Sequence, residues 1–290
     1  MRPNYARRRA TFAAGLALCV LAAVLVASST GASHPAALAS RPTHARALRA
    51  ALAHTRKLAP ASEPPERTVA KVLAYTPFVK QGGDRGRDVA LTFDDGPGPY
   101  TPGVLAVLER MHVQATFFEI GAMLHYFGAS TVRELRDGDV IGDHTETHPA
   151  LARLAARAQR EQLFEQIARV EVLGGPRPYL FRPPYGSFDA TTMRELRALH
   201  LLMVLWSVDT EDYLQPGVTT IVQRALAGAH PGAIILMHDA GGTRTQTIEA
   251  LPIIIARLRA RGYRPVTIPQ LLHDDPPPPG QPLPSSLSGD

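Results

Sequence analysis

The stretch DVALTFDDGPGPYTPGVLAVLERMHVQATFFEI, residues 88–120, contains the repeating unit of this chain. Residues 88–93 form a short apolar run, which favours a buried strand. Residues 101–112 carry apolar side chains at helical spacing, and Pro102 stands where prolines often begin helices. A second apolar run follows at 115–120. We therefore predict a β-α-β unit, in which the two strands run parallel.

The same alternation continues through the body of the chain and predicts an α/β fold. About seven apolar runs alternate with segments of helical spacing, which indicates parallel strands buried on both faces and wrapped by helices. Both a closed or nearly closed barrel and an open doubly wound sheet fit this pattern. In either fold, active-site residues lie at the carboxyl ends of the strands. The five further strands are predicted at 140–144, 179–184, 201–209, 233–239 and 263–268.

Polar residues of catalytic type follow five of these predicted strands. The first strand ends in two adjacent carboxylates, Asp94 and Asp95, whose like charges require a compensating partner. A single histidine at a strand end is most often a hydrogen-bonded structural residue, but five polar groups on one rim indicate an active site. The other four groups are HTETH (144–148), RPPYG (182–186), DTED (209–212) and MHD (237–239).

The histidine pair in the second group points to a metal. His144 and His148 are four residues apart, so a helical turn or a tight loop can aim both imidazoles at one ion. A carboxylate from another strand completes three protein ligands and leaves a position for water, as in catalytic metal sites. One of the two aspartates at 94 and 95 can supply that ligand, and the cation then stabilises its neighbour as a carboxylate.

The segments TFDDGPG, HTETHP, RPPYG, DTEDY and ILMHD, in this order, resemble the five motifs of the polysaccharide deacetylases, carbohydrate esterase family four. The resemblance covers about residues 88–272. It implies a distorted (β/α)7 barrel with parallel strands. It also implies hydrolysis of the acetamide of N-acetylated amino sugars in a polysaccharide. The implied cofactor is one divalent metal ion. Zinc is the first candidate, and cobalt and nickel are the alternatives.

The resemblance also implies roles for the motif residues. It makes Asp95, His144 and His148 the metal ligands. It makes Asp94 the general base, with Arg182 holding its position and its pKa.

The remaining roles concern the oxyanion, the acid and the substrate. The backbone N–H of Tyr185 is expected to help form the oxyanion hole. His238 is expected to be the general acid, with Asp209 orienting it and keeping it protonated. The expected substrate contacts are Leu236, at the acetyl methyl, and Asp212 and Tyr213, which would flank the groove.

Charge and hydropathy separate the first part of the chain from the rest. Residues 1–80 hold 12 Lys and Arg against 2 acidic residues, whereas residues 81–290 hold 19 against 24. The globular part therefore lacks the basic surface of a nucleic-acid-binding protein. Four arginines within the first nine residues precede an uncharged run at 10–28. This pattern favours export, with a signal that is cleaved or an anchor that is retained.

These features predict four segments. Residues 1–32 are expected to be the signal or membrane anchor, and 33–80 a basic Pro/Ala-rich linker. Residues 81–273 are expected to form the catalytic domain, and 274–290 a disordered Pro-rich tail. The single cysteine, Cys19, allows neither an intrachain disulfide nor a cysteine metal site. We expect an exported monomer, secreted or anchored facing the cell wall, that acts on peptidoglycan or a chitin-like polysaccharide.

Several alternatives share parts of this pattern. An O-acetyl polysaccharide esterase with the same metal site and a chitooligosaccharide deacetylase both remain open. Magnesium-dependent phosphoryl transfer also uses paired aspartates, but the chain has no lysine after Lys80, and two histidines favour a metal softer than magnesium. A non-catalytic sugar-binding module would have no need for both Asp94 and His238.

Overall fold

The structure is a computed structural model, which describes residues 63–281. The predicted leader, Cys19 and most of the predicted linker lie outside these residues. Nine strands lie within the described range: β1 (Phe78–Val79), β2 (Asp88–Asp94), β3 (Thr116–Glu119), β4 (Val140–Asp143), β5 (Leu180–Phe181), β6 (Leu202–Val204), β7 (Val208–Asp209), β8 (Ile234–His238) and β9 (Arg264–Val266).

Eight α-helices alternate with these strands in the described part of the chain. None of them is both long enough and apolar enough to cross a membrane. The helices are α1 (Pro65–Leu73), α2 (Thr101–Met111), α3 (Gly121–Asp137), α4 (Ala156–Val172), α5 (Ala190–Leu199), α6 (Val218–Gly228), α7 (Thr245–Ala260) and α8 (Ile268–Asp274).

The strands form one parallel sheet that curls into an incompletely closed barrel. Their order is β1-β6-β5-β4-β3-β2-β8-β7, and β9 also pairs with β2. The six strand spacings from β6 to β7 would cover about 29 Å in a flat sheet. Val204 ends β6 and Val208 begins β7, and the chain between them spans at most about 15 Å. The sheet must therefore curl, which confirms the predicted barrel. The single strand predicted at 201–209 is wrong, because it forms both β6 and β7.

The central strand β2 packs on both of its faces. Val89, Leu91 and Phe93 belong to a cluster with residues of α2, α6 and α7. Ala90 belongs to a second cluster with residues of β3, β5, β6 and β8 inside the barrel, to which α1 and α8 also contribute. Because side chains alternate along a strand, Thr92 and Asp94 lie on the same side as Ala90. The barrel interior is thus apolar at one end and polar at the carboxyl end.

The predicted boundary at residue 81 is too late, because the folded part begins before it. Val69 and Val72 of α1 are buried in the interior cluster. Strand β1 pairs in parallel with β6, with Phe78 opposite Met203. The proline-rich composition before residue 67 obscured a short amphipathic helix, which begins at Pro65 in the favoured first position of a helix.

The predicted disorder from residue 274 is also wrong, as far as residue 281. The buried carboxylate of Asp275 accepts hydrogen bonds from the backbone N–H groups of Arg85 (2.6 Å) and Gly86 (2.8 Å). The carbonyl of Asp275 accepts another from the N–H of Gly83 at 2.7 Å. Tyr75 donates its hydroxyl proton to the carbonyl of Pro277 at 2.9 Å. These contacts fix the chain after α8 to the loop before β2 and to the segment before β1.

Replacing Asp275 should therefore destabilise the fold. Asp275→Ala leaves two backbone N–H groups without their acceptor, and we expect the free energy of unfolding to fall by about 2–3 kcal/mol. Asp274→Ala is the matched control. Asp274 pairs with Arg264 at a partly exposed position, where a salt bridge contributes about 0–1 kcal/mol. Urea denaturation of both variants measures the free energy of unfolding. An equal decrease in the two variants would show that the hydrogen bonds of Asp275 do not stabilise the fold.

Candidate active site

The two adjacent aspartates at the end of β2 face different partners. Asp94 Oδ1 accepts a hydrogen bond from the buried guanidinium of Arg182 at 2.7 Å. Asp95 has a φ of 75°, a left-handed conformation that is uncommon for a residue with a Cβ. Its Oδ1 lies 3.1 Å from His148 Nε2 and 3.6 Å from His144 Nε2. The backbone turn after Asp94 thus gives the two carboxylates different partners, Arg182 for Asp94 and the two imidazoles for Asp95.

Asp95, His144 and His148 form a cluster that fits a divalent metal. One ligand atom of each lies within 4.8 Å of the others, and all three residues are buried. Burial raises the pKa of Asp95, but His148 and His144 outweigh it and hold this pKa well below its usual value. Burial lowers the pKa of His148, which favours the neutral imidazole that binds metals. Asp95 Oδ2 is buried without a hydrogen-bond partner among the described residues.

The two imidazoles are oriented through their Nδ1 atoms. His144 Nδ1 lies 2.7 Å from the carbonyl oxygen of Arg182. A carbonyl only accepts hydrogen bonds, so Nδ1 carries the proton and the lone pair of Nε2 faces Asp95. His148 Nδ1 lies 3.1 Å from the hydroxyl of Tyr185. Both rings therefore present Nε2 to the same point.

The HTETH segment is a tight loop, which decides between the two geometries that the sequence left open. Thr145 and His148 have φ angles of 68° and 60°. The N–H of Thr145 donates to Asp143 Oδ1 at 2.7 Å, and the N–H of His148 donates to Thr145 Oγ1 at 2.9 Å. The ring centroids of His144 and His148 are 4.9 Å apart. Several left-handed residues on one rim are typical of strained functional loops.

Arg182 holds Asp94 from inside the barrel. Its guanidinium also donates to Thr92 Oγ1 at 2.9 Å and to two backbone carbonyls at the end of β6, at 3.1 and 3.3 Å. The ring of Phe118 lies 4.2 Å from the guanidinium carbon. Burial lowers the pKa of Arg182, and Asp94 opposes this change. The predicted contact between Arg182 and Asp94 is thus present, in a fully buried pair.

His238 lies beside Asp94 on the neighbouring strand, since the two are partners in the β2–β8 register. His238 Nδ1 lies 2.7 Å from Asp212 Oδ1. Asp212 Oδ2 accepts two more hydrogen bonds, from the N–H of His238 at 3.0 Å and from the hydroxyl of Thr247 at 2.7 Å. Burial lowers the pKa of His238, but Asp212 outweighs it and raises this pKa to about 9. This shift favours the protonated imidazole at neutral pH.

The expectation that Asp209 orients His238 is wrong, because Asp212 makes that contact. The carboxylate of Asp209 instead accepts the N–H of Glu211 at 2.8 Å. Glu211 has a φ of 49°, and a 3₁₀ turn over Asp212–Leu214 follows it. This turn brings residue 212 beneath the imidazole. Asp212 is 1% exposed, so the expectation that it flanks the groove is also wrong.

The other predicted residues lie around the same rim. Leu236 is buried two positions before His238, on the same side of β8. The half-buried Tyr213 places its ring against the imidazole of His238, with centroids 5.2 Å apart. Tyr185 is half-buried in the turn Pro184–Gly186, with a φ of 60°. Their roles toward a substrate or oxyanion stay predictions.

Two supporting residues, Thr247 and Asp239, had no predicted role. Thr247, on α7, carries no motif that connects it to Asp212. Asp239 stands beside His238 and could have been found from that position. It accepts a hydrogen bond from the hydroxyl of Thr101, and burial raises its pKa to about 8.

Asp239 also explains a glycine in the first motif. A Cβ on Gly96 would lie 2.5 Å from a carboxylate oxygen of Asp239. The hydroxyl of Thr101, which donates to Asp239, accepts the N–H of Gly98 at 2.8 Å. Asp239 therefore fixes the loop that follows Asp95.

Known proteins share this sequence pattern. The polysaccharide deacetylase family profile matches residues 81–204. A peptidoglycan-N-acetylglucosamine deacetylase of Bacillus cereus is 37% identical over 186 residues, which cover 63% of this chain and 68% of that protein. A chitooligosaccharide deacetylase of Bradyrhizobium is 37% identical over 198 residues, which cover 64% of this chain and 90% of that protein.

Solved structures share the fold. The Bc1960 peptidoglycan N-acetylglucosamine deacetylase superposes with a TM-score of 0.66 at 35% identity, covering 70% of this chain and 95% of that chain. BA3943 of Bacillus anthracis, described as a pseudoenzyme of carbohydrate esterase family four, superposes with a TM-score of 0.64 at 30% identity, covering 68% and 69%. Because a pseudoenzyme has this fold too, the fold alone does not establish activity.

Proposed function

This chain belongs to the polysaccharide deacetylase family, and we propose that it removes acetyl groups from N-acetylated amino sugars of a cell-surface polysaccharide. One observation carries the proposal. The ligand atoms of Asp95, His144 and His148 converge within 4.8 Å, and a base candidate and an acid candidate, Asp94 and His238, occupy partner positions on two strands beside them. A non-catalytic sugar-binding module needs none of this convergence.

The proposed cofactor is one divalent ion held by Asp95, His144 and His148. Two imidazole nitrogens and one carboxylate oxygen suit zinc, with cobalt or nickel as substitutes. When bound, such an ion polarises the acetamide carbonyl and acidifies water. Asp95 Oδ2, which is buried and has no hydrogen-bond partner in the described part of the chain, is available for a second contact to such an ion.

Asp94 is the proposed general base. Its Oδ1 is held by Arg182, while its Oδ2 lies 3.8 Å from His144 Nε2, beside the ligand cluster. The proximity of this oxygen to the cluster supports its proposed role, which is to accept a proton from the attacking water. Hydrogen bonds to two backbone carbonyls fix the guanidinium of Arg182. Since Arg182 binds only Oδ1 of Asp94, the carboxylate is held in place and its Oδ2 remains available.

His238 is the proposed general acid. Its Nδ1 is engaged with Asp212, so Nε2 is the atom that delivers a proton to the departing amine. The backbone N–H of Tyr185 is the proposed oxyanion donor, and one such donor contributes about 3 kcal/mol. Leu236 is proposed to contact the acetyl methyl, and Tyr213 to form a side of the sugar groove.

Peptidoglycan is the proposed substrate, by similarity to the relative from Bacillus cereus. The predicted leader supports an exported protein, secreted or anchored, that meets such a polymer outside the cell; we propose a monomer. Chitooligosaccharides are the second candidate, since the Bradyrhizobium relative is also 37% identical and aligns over 90% of its own length.

Acetate release separates these possibilities. The full chain is incubated with peptidoglycan glycan strands, chitin oligomers and an O-acetylated polysaccharide, with and without a chelator. We expect chelator-sensitive release from N-acetylated substrates, fastest on peptidoglycan. Faster release from chitin oligomers favours the second candidate. Release from the O-acetylated polymer alone would replace the proposed amidase with an esterase.

The pH dependence of kcat tests the proposed acid. His238 must be protonated, so kcat should hold below the pKa of His238 and fall about tenfold per pH unit above it. Since the pKa of His238 is raised to about 9, and a bound cation disfavours the imidazolium, the midpoint of this fall is expected at or below pH 9. A kcat that stays constant from pH 7 to 11 would exclude His238 as the acid.

A further inference from the structure

The hydroxyl of Tyr185 contacts a proposed metal ligand. It lies 3.1 Å from His148 Nδ1, and the two rings meet edge to face with centroids 4.6 Å apart and planes at 69°. We propose that this hydroxyl is a positioning group for the metal, which fixes the ring of His148 and the location of its proton. This inference rests on the proposed function, because it concerns the same metal site.

The proton balance of His148 gives the contact its direction. Nε2 faces Asp95 at 3.1 Å, so metal binding through Nε2 requires the proton on Nδ1. That N–H then donates to the oxygen of Tyr185, which can accept because a phenol is both donor and acceptor. Such a hydrogen bond orients the ring and makes the ligating nitrogen more basic.

The two histidines differ in how this support is built. His144 donates to a backbone carbonyl, that of Arg182 at 2.7 Å, which no substitution removes. His148 depends on a side chain, the phenol of Tyr185. Both acceptors belong to the RPPYG segment, so this one turn orients both imidazoles while the side chain of Arg182 holds Asp94. The left-handed φ of 60° at Tyr185 belongs to the same turn.

A merely structural role makes a different prediction. Phenylalanine preserves the edge-to-face ring contact of Tyr185 but removes the acceptor. If packing alone matters, Tyr185→Phe binds metal as the unchanged protein does. If the hydroxyl supports His148, metal affinity falls while the fold is retained.

The test compares metal affinity in the full chain and in Tyr185→Phe. Metal-free protein is titrated with Zn²⁺ against a chromophoric chelator, and Co²⁺ is added separately to record the visible ligand-field bands. We expect Tyr185→Phe to bind Zn²⁺ about 10–100-fold more weakly, the usual effect of losing such a support, with an altered Co²⁺ spectrum. Circular dichroism of both proteins establishes that the variant is folded.

Tyr213→Phe is the matched control. It removes a phenol from the same rim, but Tyr213 lies against His238 rather than a proposed ligand, so its Zn²⁺ affinity should stay within about twofold of the unchanged protein. Equal affinity in Tyr185→Phe would overturn this inference and leave the proposed function intact. Absence of Zn²⁺ binding by the unchanged protein would instead overturn the proposed function.

Discussion

Asp95→Ala is expected to lose specific metal binding, and acetate release should fall by roughly 10³-fold or more. The substitution removes one of three ligand atoms that meet within 4.8 Å. A bound metal contributes several kcal/mol to charge stabilisation in the transition state, and each 1.36 kcal/mol corresponds to about tenfold in rate. Metal content by mass spectrometry and acetate release from glycan strands measure the two effects on the same preparation.

The neighbouring aspartate provides the matched control. Asp94→Asn keeps the size of the side chain but cannot accept the proton from water. We expect it to retain the metal and to lose about 10²–10⁴-fold in kcat. A variant at 94 that loses the metal, or a variant at 95 that keeps both metal and activity, would refute the division of roles between these two residues.

Asp212→Asn should give the second large effect, through His238. The carboxylate of Asp212 is the main reason that the pKa of His238 is raised to about 9. With a neutral amide in its place, the imidazolium loses that stabilisation. We expect kcat near neutral pH to fall by about 10²–10⁴-fold, the contribution of a positioned acid. The alkaline fall in kcat should also move to lower pH, and a kcat profile from pH 5 to 11 measures both changes.

Asp209→Asn tests whether Asp212, and not Asp209 as the resemblance implied, orients His238. The amide oxygen of Asn can still accept the N–H of Glu211, which is the contact that Asp209 makes. We therefore expect a smaller loss of kcat and an alkaline limb close to that of the unchanged protein. A larger effect at 209 than at 212 would return the orienting role to Asp209.

The barrel could be predicted because its signals are local. Apolar runs and helical spacing repeat along residues 88–272, and parallel strands place all their carboxyl ends on one rim. The convergence of His144 and His148 with one of the two aspartates at 94 and 95 followed from that geometry together with the chemistry of metal ligands, and the resemblance to the polysaccharide deacetylases selected Asp95. The spacing of the two histidines left their loop conformation open, since it depends on left-handed residues such as Thr145.

Other features depend on contacts that no local pattern records. The run 201–209 has the pattern of one strand, yet its two halves form β6 and β7, which stand near opposite ends of the strand order of the sheet. The choice of Asp212 over Asp209 depends on the left-handed Glu211 and the turn after it. Asp275 lies in a proline-rich stretch, but its carboxylate accepts a backbone hydrogen bond from a loop some 190 residues earlier in the chain.

Reconstitution of the metal-free protein tests whether Asp95, His144 and His148 hold the ion on which acetate release depends. Acetate release is measured while Zn²⁺ is added stepwise to the full chain and to Asp95→Ala. We expect release by the unchanged chain to rise in proportion to bound metal and to level off at one ion per chain, and release by Asp95→Ala to stay lower by roughly 10³-fold or more throughout. Full acetate release by protein verified to be free of metal would contradict the claim that these three side chains hold the catalytic ion.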